Sequence, residues 1–498
     1  MSMRKKQKRI VRILALALAL LIVLGTVASI VFSSARGEEG APLDACLLEM
    51  ELLEDAQALQ VRQRLLYTNR TGQALDHVEF SIYANMFRRL SALPYEADTL
   101  GQVLHVGYAP GGAEFSRVLV DGEAANWGMI DEEELFMRVD CALEQGQQCE
   151  FVFEYTLLLT QNAASLGVGE TDWRLRGFYV QPLRYEDGAF VATSPLQHAN
   201  YVYAGRADYT LSVSLPERYV LAGPGEIHAQ DNGDGTRTWN LSASGLRELC
   251  VSLGMRWREY EGHTQNGTRV RLLSSGRGDA REALETALET LNLYESWFGT
   301  LAWDVTIAQS DYALGALSLQ GLIWLQEDAL TDAMQMRRAL AKQYFGWAAY
   351  SMPTQDAWLS DSISEYVAYL ALESAQGESA FLEAMNRSVL PEAQFTLPGG
   401  LEITSDATLF TQSEYDTVVR GRGALVFHEL RVAMELEPML AGLKRFYEKG
   451  LSEDILGEYD LIEALDEASG GDWEAFLTDW LFNVADYYEE SYTLDSIE

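Results

Sequence analysis

In the stretch RALAKQYFGW (338–347), Arg338 and Lys342 stand four residues apart, so on a helix both side chains fall on one face. They bring positive charge and hydrogen-bond donors, which suit a carboxylate or phosphate partner. Arginine stays protonated, with a pKa above ~12, and has no lone pair to give a metal. Three other segments carry polar residues of interest: Ser318 in GALSLQGLIWL (315–325), Asp361 in WLSDSISEYVAYL (358–370) and Arg420 in VVRGRGALVFHEL (418–430). Of these only Asp361 could ligate zinc, and one carboxylate alone makes a poor zinc site. Ser318 has no histidine near it in sequence, which argues against a serine nucleophile. His77, His105, His198, His228, His263 and His428 are scattered, with no two within five residues, so a two-histidine helical zinc motif is absent. His428-Glu429 is followed by Val432 where a second histidine would be needed, and His428 reads as a helix-surface residue. No C-x-x-C pair occurs among Cys46, Cys141, Cys149 and Cys250, which disfavours a cysteine zinc site.

The elements that must position these residues are mainly helices. Apolar spacing predicts helices near 331–350, 358–375, 420–435, 438–449 and 471–483. Ahead of them, DAREALETALETLNLYESWFG (279–299) sets Leu284, Leu288, Leu291 and Phe298 on one face, with Gly299 as the C-cap. WDVTIAQS (303–310) reads as a short strand. The pattern before residue 258 is different. ADYTLSVSL (207–215) alternates apolar and polar residues, and DNGDGT (231–236) marks a turn before the next strand. The expected fold class is therefore multidomain, β then α/β. A β-sandwich or saddle domain over 44–258 precedes a mixed, mostly helical domain over 259–498.

Residues 1–36 differ from the rest. A basic run without an acid, MSMRKKQKRIVR, precedes about twenty uncharged residues, ILALALALLIVLGTVASIVF, long enough for a bilayer core of ~30 Å. The expectation is a single-pass anchor with a cytoplasmic N-terminus, a linker at 37–43 and the bulk outside the cytoplasm. A cleaved signal peptide, with SSA at 33–35 as its site, is the rival reading. An extracytoplasmic location permits disulfides, and Cys141 and Cys149 are spaced for a hairpin bridge. The net charge of −37, from 37 basic and 74 acidic residues, excludes nucleic acid as a natural partner.

Taken in order, the four segments GALSLQGLIWL, RALAKQYFGW, WLSDSISEYVAYL and VVRGRGALVFHEL resemble the membrane alanyl aminopeptidase family, the aminopeptidase N-type gluzincin zinc metallopeptidases. In that family the segments read G-[GA]-M-E-[NY]-x-G, H-E-x-x-H-x-W-F-G, W-L-[ND]-E-G-x-A-x-[FY] and V-Y-x-K-G-A. Eighteen residues separate the family's second histidine from its third ligand, and eighteen separate Lys342 from Asp361. The resemblance implies a thermolysin-like, mostly helical domain behind the β domain. It also implies what the key positions once did. Arg338, Lys342 and Asp361 stand at the metal-ligand positions, and Ala339 at the general-base position. Ser318 stands where a glutamate clamps the substrate amine, and Arg420 where a tyrosine steadies the oxyanion.

All six positions depart from the family pattern, while Phe345, Gly346, Trp358, Leu359, Gly423 and Ala424 keep it. The resemblance thus implies a retained fold, no bound zinc and no catalytic residues by the family's mechanism. On this reading the chain is a membrane-anchored pseudopeptidase that binds a peptide, an anion or a membrane-protein partner. Two alternatives stand beside it. One is an active zinc metallo-aminopeptidase or other hydrolase using the same cleft; the other is a structural subunit of an envelope complex. Three fates are open to the cations. Lys342 could donate to Asp361 and tie two helices together, Arg338, Lys342 and Arg420 could form an anion pocket, or the side chains could extend to solvent.

Overall fold

A computed structural model describes residues 43–276, 279–394, 400–487 and 493–494. The anchor expected over 1–36 and all but the last residue of the linker lie outside the described residues. Among the described residues no helix is long and apolar enough to cross a membrane. From Ala45 onward the chain forms one compact unit.

The strand-rich half is built on an eight-stranded sheet. Its order is Glu226–Asp231, Thr236–Leu246, Ala207–Pro216, Asp44–Leu53, Ala58–Thr68, Gln148–Leu158, Gly112–Val120 and Glu123–Ala124. Alternation in ADYTLSVSL becomes a strand whose odd-numbered residues from Ala207 to Leu215 are buried, as a one-sided antiparallel strand requires. Two four-stranded sheets pack with it, and Phe80, Phe151 and Phe153 meet edge-on or stacked in the shared core. Cys141 lies in a strand of one four-stranded sheet and Cys149 in the eight-stranded sheet. All four cysteines are free, so the anticipated hairpin bridge does not form.

The α/β half begins with a five-stranded sheet in the order Arg258–His263, Arg269–Ser274, Val305–Gln309, Leu322–Leu325 and Ala316–Leu319. Its three middle strands are parallel and both edges antiparallel. Helix α1 (Ala280–Phe298) makes the crossover between the first two parallel strands. Asp279 caps its start and Gly299, at φ 97°, ends it. Helix α2 (Ala333–Lys342) starts at Asp332, whose carboxylate accepts from the N–H groups of Met334 and Gln335. It does not run on unbroken to 350 as its periodicity predicts. At Gln343–Ala348 it widens into a π-turn, closed by the Ala349 N–H donating to Tyr344 O at 2.8 Å.

Helix α3 (Ala357–Gln376) is buried on nearly every side through Leu372, which explains why its sequence shows so little amphipathic contrast. Helix α4 (Gly423–Met434) continues a second π-turn, Asp416–Arg422, and the short helix Gln412–Tyr415, which opens on a Thr411–Glu414 capping box. This start is upstream of the one that the apolar spacing predicts. His428 is buried, not on the helix surface as expected. It lies against Phe381 and Tyr366, and burial pushes its pKa down to about 4.

Helices α3 and α4 meet at Gly423. A Cβ there would stand 2.5 Å from the Cβ of Ser362, whose hydroxyl is held by donation to Val419 O at 2.7 Å. Gly423→Ala should therefore lower stability by about 1–3 kcal/mol through overpacking. Urea unfolding of the variant checks this, and an unchanged midpoint would count against the close approach.

Candidate functional site

The tail of RALAKQYFGW is scaffold. Tyr344 and Phe345 are wholly buried, Phe345 meets Phe298 of α1 at 5.0 Å between ring centroids, and Tyr344 donates to Gly299 O at 3.1 Å. The π-turn aims the buried Gln343 at the strand edge. Its amide donates to Ser318 Oγ and Leu319 O at 2.8 and 2.9 Å, and its carbonyl accepts from Gly321 N and Trp303 Nε1 at 3.0 and 2.9 Å. Ser318 Oγ donates in turn to Ala339 O at 2.7 Å. Ser318 is thus part of the join between strand and helix, and Ala339 offers only a methyl group beside it.

The head of the stretch crosses α3 through two ion pairs. Lys342 Nζ lies 2.7 Å from Asp361 Oδ1. One turn back on α2 and one turn on along α3, Arg338 meets Glu365 with two donors, Nε to Oε2 at 2.7 Å and Nη2 to Oε1 at 2.6 Å. Sequence reasoning singles out Lys342 and Asp361 but misses Glu365. The signal was there, since Glu365 follows Asp361 at the helical spacing that separates Arg338 from Lys342. Arg420 completes the group: Nη1 meets Asp416 Oδ1 at 2.6 Å, and Nη2 lies 3.5 Å from Asp361 Oδ2 and 3.2 Å from His198 O. The Tyr415 hydroxyl donates to Asp361 Oδ2 at 3.2 Å. Asp416, Tyr415 and His198 carried no signal readable without the fold.

Burial pushes the Asp361 carboxyl up in pKa. The charges of Lys342 and Arg420 and the hydrogen bonds from Lys342 and Tyr415 outweigh it and hold the group below its usual value. Arg338, Lys342, Asp361, Glu365, Asp416 and Arg420 line a cavity of about 630 Å³, walled on its other side by His198, Tyr201 and Arg176 from the strand-rich half. Burial pushes the pKa of His198 below its ordinary value and favours the neutral ring. With Nε2 donating to Ala407 O at 2.9 Å, Nδ1 keeps its lone pair.

The fold so described is that of the M1 zinc metallopeptidases. The crystal structure of such an enzyme from Deinococcus radiodurans matches with a TM-score of 0.64 at 15% identity, covering 93% of this chain and 96% of that one. A mutant of it bound to a Tyr-Ser-Ala substrate matches at 0.63 and 16% identity, over 93% and 97%. Aminopeptidase N of Lactococcus lactis subsp. lactis is 26% identical over 243 residues, which cover 44% of this chain and 28% of that protein. Aminopeptidase M1-B of Oryza sativa subsp. japonica is 25% identical over 345 residues, covering 63% and 39%. The chain thus matches well under half the length of these curated relatives. No family model matches it. Sequence relatives and fold nevertheless point to one family, the aminopeptidase N-type metallopeptidases.

Zinc, the metal that this family implies, does not suit the residues present. Of the three residues that the sequence resemblance aligns with the metal ligands, Arg338 and Lys342 are cations, and both oxygens of Asp361 already accept from Lys342, Tyr415 and Arg420. Among the described residues no group of three or more His, Cys, Asp or Glu side chains could hold a metal ion.

A carboxylate depressed on folding adds stability above its unfolded pKa of about 3.9, and loses it as pH falls through the folded value. Lys342→Met leaves Asp361 buried with weaker partners. It should lower stability at pH 7, near or below the lower end of the about 3–5 kcal/mol of a broken buried pair, since Arg420 and Tyr415 remain. The gap from wild type should narrow below about pH 4 as Asp361 protonates. Urea unfolding at neutral and acid pH measures it, and no gap at pH 7 would reject the cross-helix tie.

Proposed function

We propose that the chain is a non-hydrolysing relative of the aminopeptidase N-type enzymes, whose cleft holds a ligand without cutting it. The observation that carries this is the 2.7 Å contact of Lys342 with Asp361, which puts an ammonium group against the only one of the three aligned residues able to bind a metal. The remaining chemistry agrees. Ala339 cannot serve as a general base, Ser318 is engaged with Ala339 O and Gln343, and Arg420 offers donors already directed at carboxylates. The large cavity persists, which favours binding over a purely structural subunit. A bound peptide in a structural neighbour supports peptide as one ligand class.

We also infer that residues 1–36 anchor the chain in a membrane, with the cleft outside the cytoplasm. The support is the basic flank and the uncharged run of about twenty residues after it.

The purified chain should hold far less than one zinc by elemental analysis, and should leave amino-acid anilides and unblocked peptides intact. One tightly held zinc per chain, lost together with peptidase activity on chelation, would reverse this reading. Full-length chain expressed with its first 36 residues should stay with membranes through alkaline carbonate washing. Release into the wash would reject the anchor.

A further inference from the structure

We infer that the cavity receives an organic carboxylate on a floor formed by Arg338, Lys342 and Arg420, and that a short peptide held by its C-terminal carboxylate is the ligand chemistry that fits. The inference rests on the non-hydrolysing reading and names the ligand class of that same site.

The charge arrangement comes first. Arg338, Lys342 and Arg420 have side chains 35%, 28% and 32% exposed, whereas Glu365 and Asp361 are 10% and 6% exposed. These two carboxylates sit behind the cations, and the more exposed Asp416 on the same wall, at 40%, is already paired with Arg420 Nη1 at 2.6 Å. Donor capacity remains. Among the described residues no acceptor meets Arg338 Nη1, and Lys342 uses one of its three protons on Asp361.

Unpartnered polar atoms give a second, independent indication. Among the described residues ten buried side-chain polar atoms have no hydrogen-bond partner, and four of them belong to residues lining this one cavity: Gln197 Nε2, His198 Nδ1, Tyr201 OH and Ser364 Oγ. His198, Tyr201 and Ser364 are each more than nine-tenths buried. Buried polar atoms are normally satisfied, so such a concentration is what a polar ligand would complete. The set holds acceptors as well as donors. His198 Nδ1 suits a peptide N–H, which an inorganic anion lacks.

Size and lining decide the rest of the ligand. At about 630 Å³ the cavity far exceeds what a bare anion fills, and Tyr95, Tyr312, Trp347 and Leu196 provide apolar surface for a body behind the carboxylate. A tripeptide supplies the carboxylate, the N–H groups and the side chains together.

The test uses the full chain and a mixed tripeptide library offered in three forms: unblocked, C-terminally amidated and N-acetylated. Peptides retained by the protein are identified by mass spectrometry. Unblocked and N-acetylated peptides should be retained and recovered intact, and amidation should reduce retention at least about tenfold, as loss of charge-assisted hydrogen bonds implies. Arg338→Gln with Glu365→Gln removes both charges of one pair and keeps hydrogen-bonding groups facing each other. This double variant, if circular dichroism finds it folded, should lose free-acid retention by a similar factor. If it is unfolded, the acid-against-amide comparison on the wild type decides alone. Equal retention of amides, loss of binding on N-acetylation, or no retained acid at millimolar peptide would overturn the inference. Cleaved peptides would overturn the non-hydrolysing reading instead, and the acid-against-amide ratio would still report on the carboxylate.

Discussion

Two carboxylates on a nearly all-buried helix have to be answered by charge, and the site is organised around that requirement. Asp361 and Glu365 face α2 from successive turns of α3, and Lys342 and Arg338 meet them from successive turns of α2. An ionised carboxylate in such surroundings is tolerable only with close opposite charge and hydrogen bonds. Asp361 has both, with four donor groups around its two oxygens once the Ser360 hydroxyl at 3.3 Å is counted. The consequence is a charge-balanced seam between two helices, with two cations of α2 facing two carboxylates of α3.

Packing and chemistry separate cleanly along α2. Its tail turns through a π-turn, which lets Tyr344 and Phe345 fill the space beside Phe298 while Gln343 reaches the strand edge. Those contacts depend on side-chain volume and on the widened turn, and they are indifferent to what stands at 338, 339 and 342. Residues that build the helical core can persist while those facing the cavity change their charge and their donors. The same division holds at the next helix. Gly423 is needed for the close approach to Ser362, whereas Arg420, one turn earlier, faces the cavity.

Helix α2 brings Arg338 and Lys342 to the cavity wall, and the π-turn before α4 adds Arg420. Arg338 and Lys342 are more exposed than Glu365 and Asp361, the carboxylates that hold them. The strand-rich half contributes the opposite wall, where burial lowers the His198 pKa and favours the neutral ring, with Nε2 donating to Ala407 O.

Much of this was legible in the sequence. Period-two alternation located strands such as that at 207–215, apolar spacing with Gly299 at its end located α1, and four ordered motifs placed Arg338, Lys342 and Asp361 near one another. These are local signals, or signals of residue type at fixed spacing, and short-range geometry determines them. The π-turns left no such mark, so the run over 331–350 read as one straight helix. His428 read as a surface residue because α4 exposes the apolar Val432 and buries His428 and Arg431, so residue type does not mark its outer face. Glu365 lay within reach of the i, i+4 rule and was passed over. Tyr415, Asp416 and His198 were beyond it, because their place at Asp361 and Arg420 depends on how a capped helix and the opposite wall pack against α3. Sequence by itself determined which charges exist and which share a helix face. Tertiary packing decided which carboxylate each cation met and which of them stayed open to the cavity, because burial and distance are set between elements.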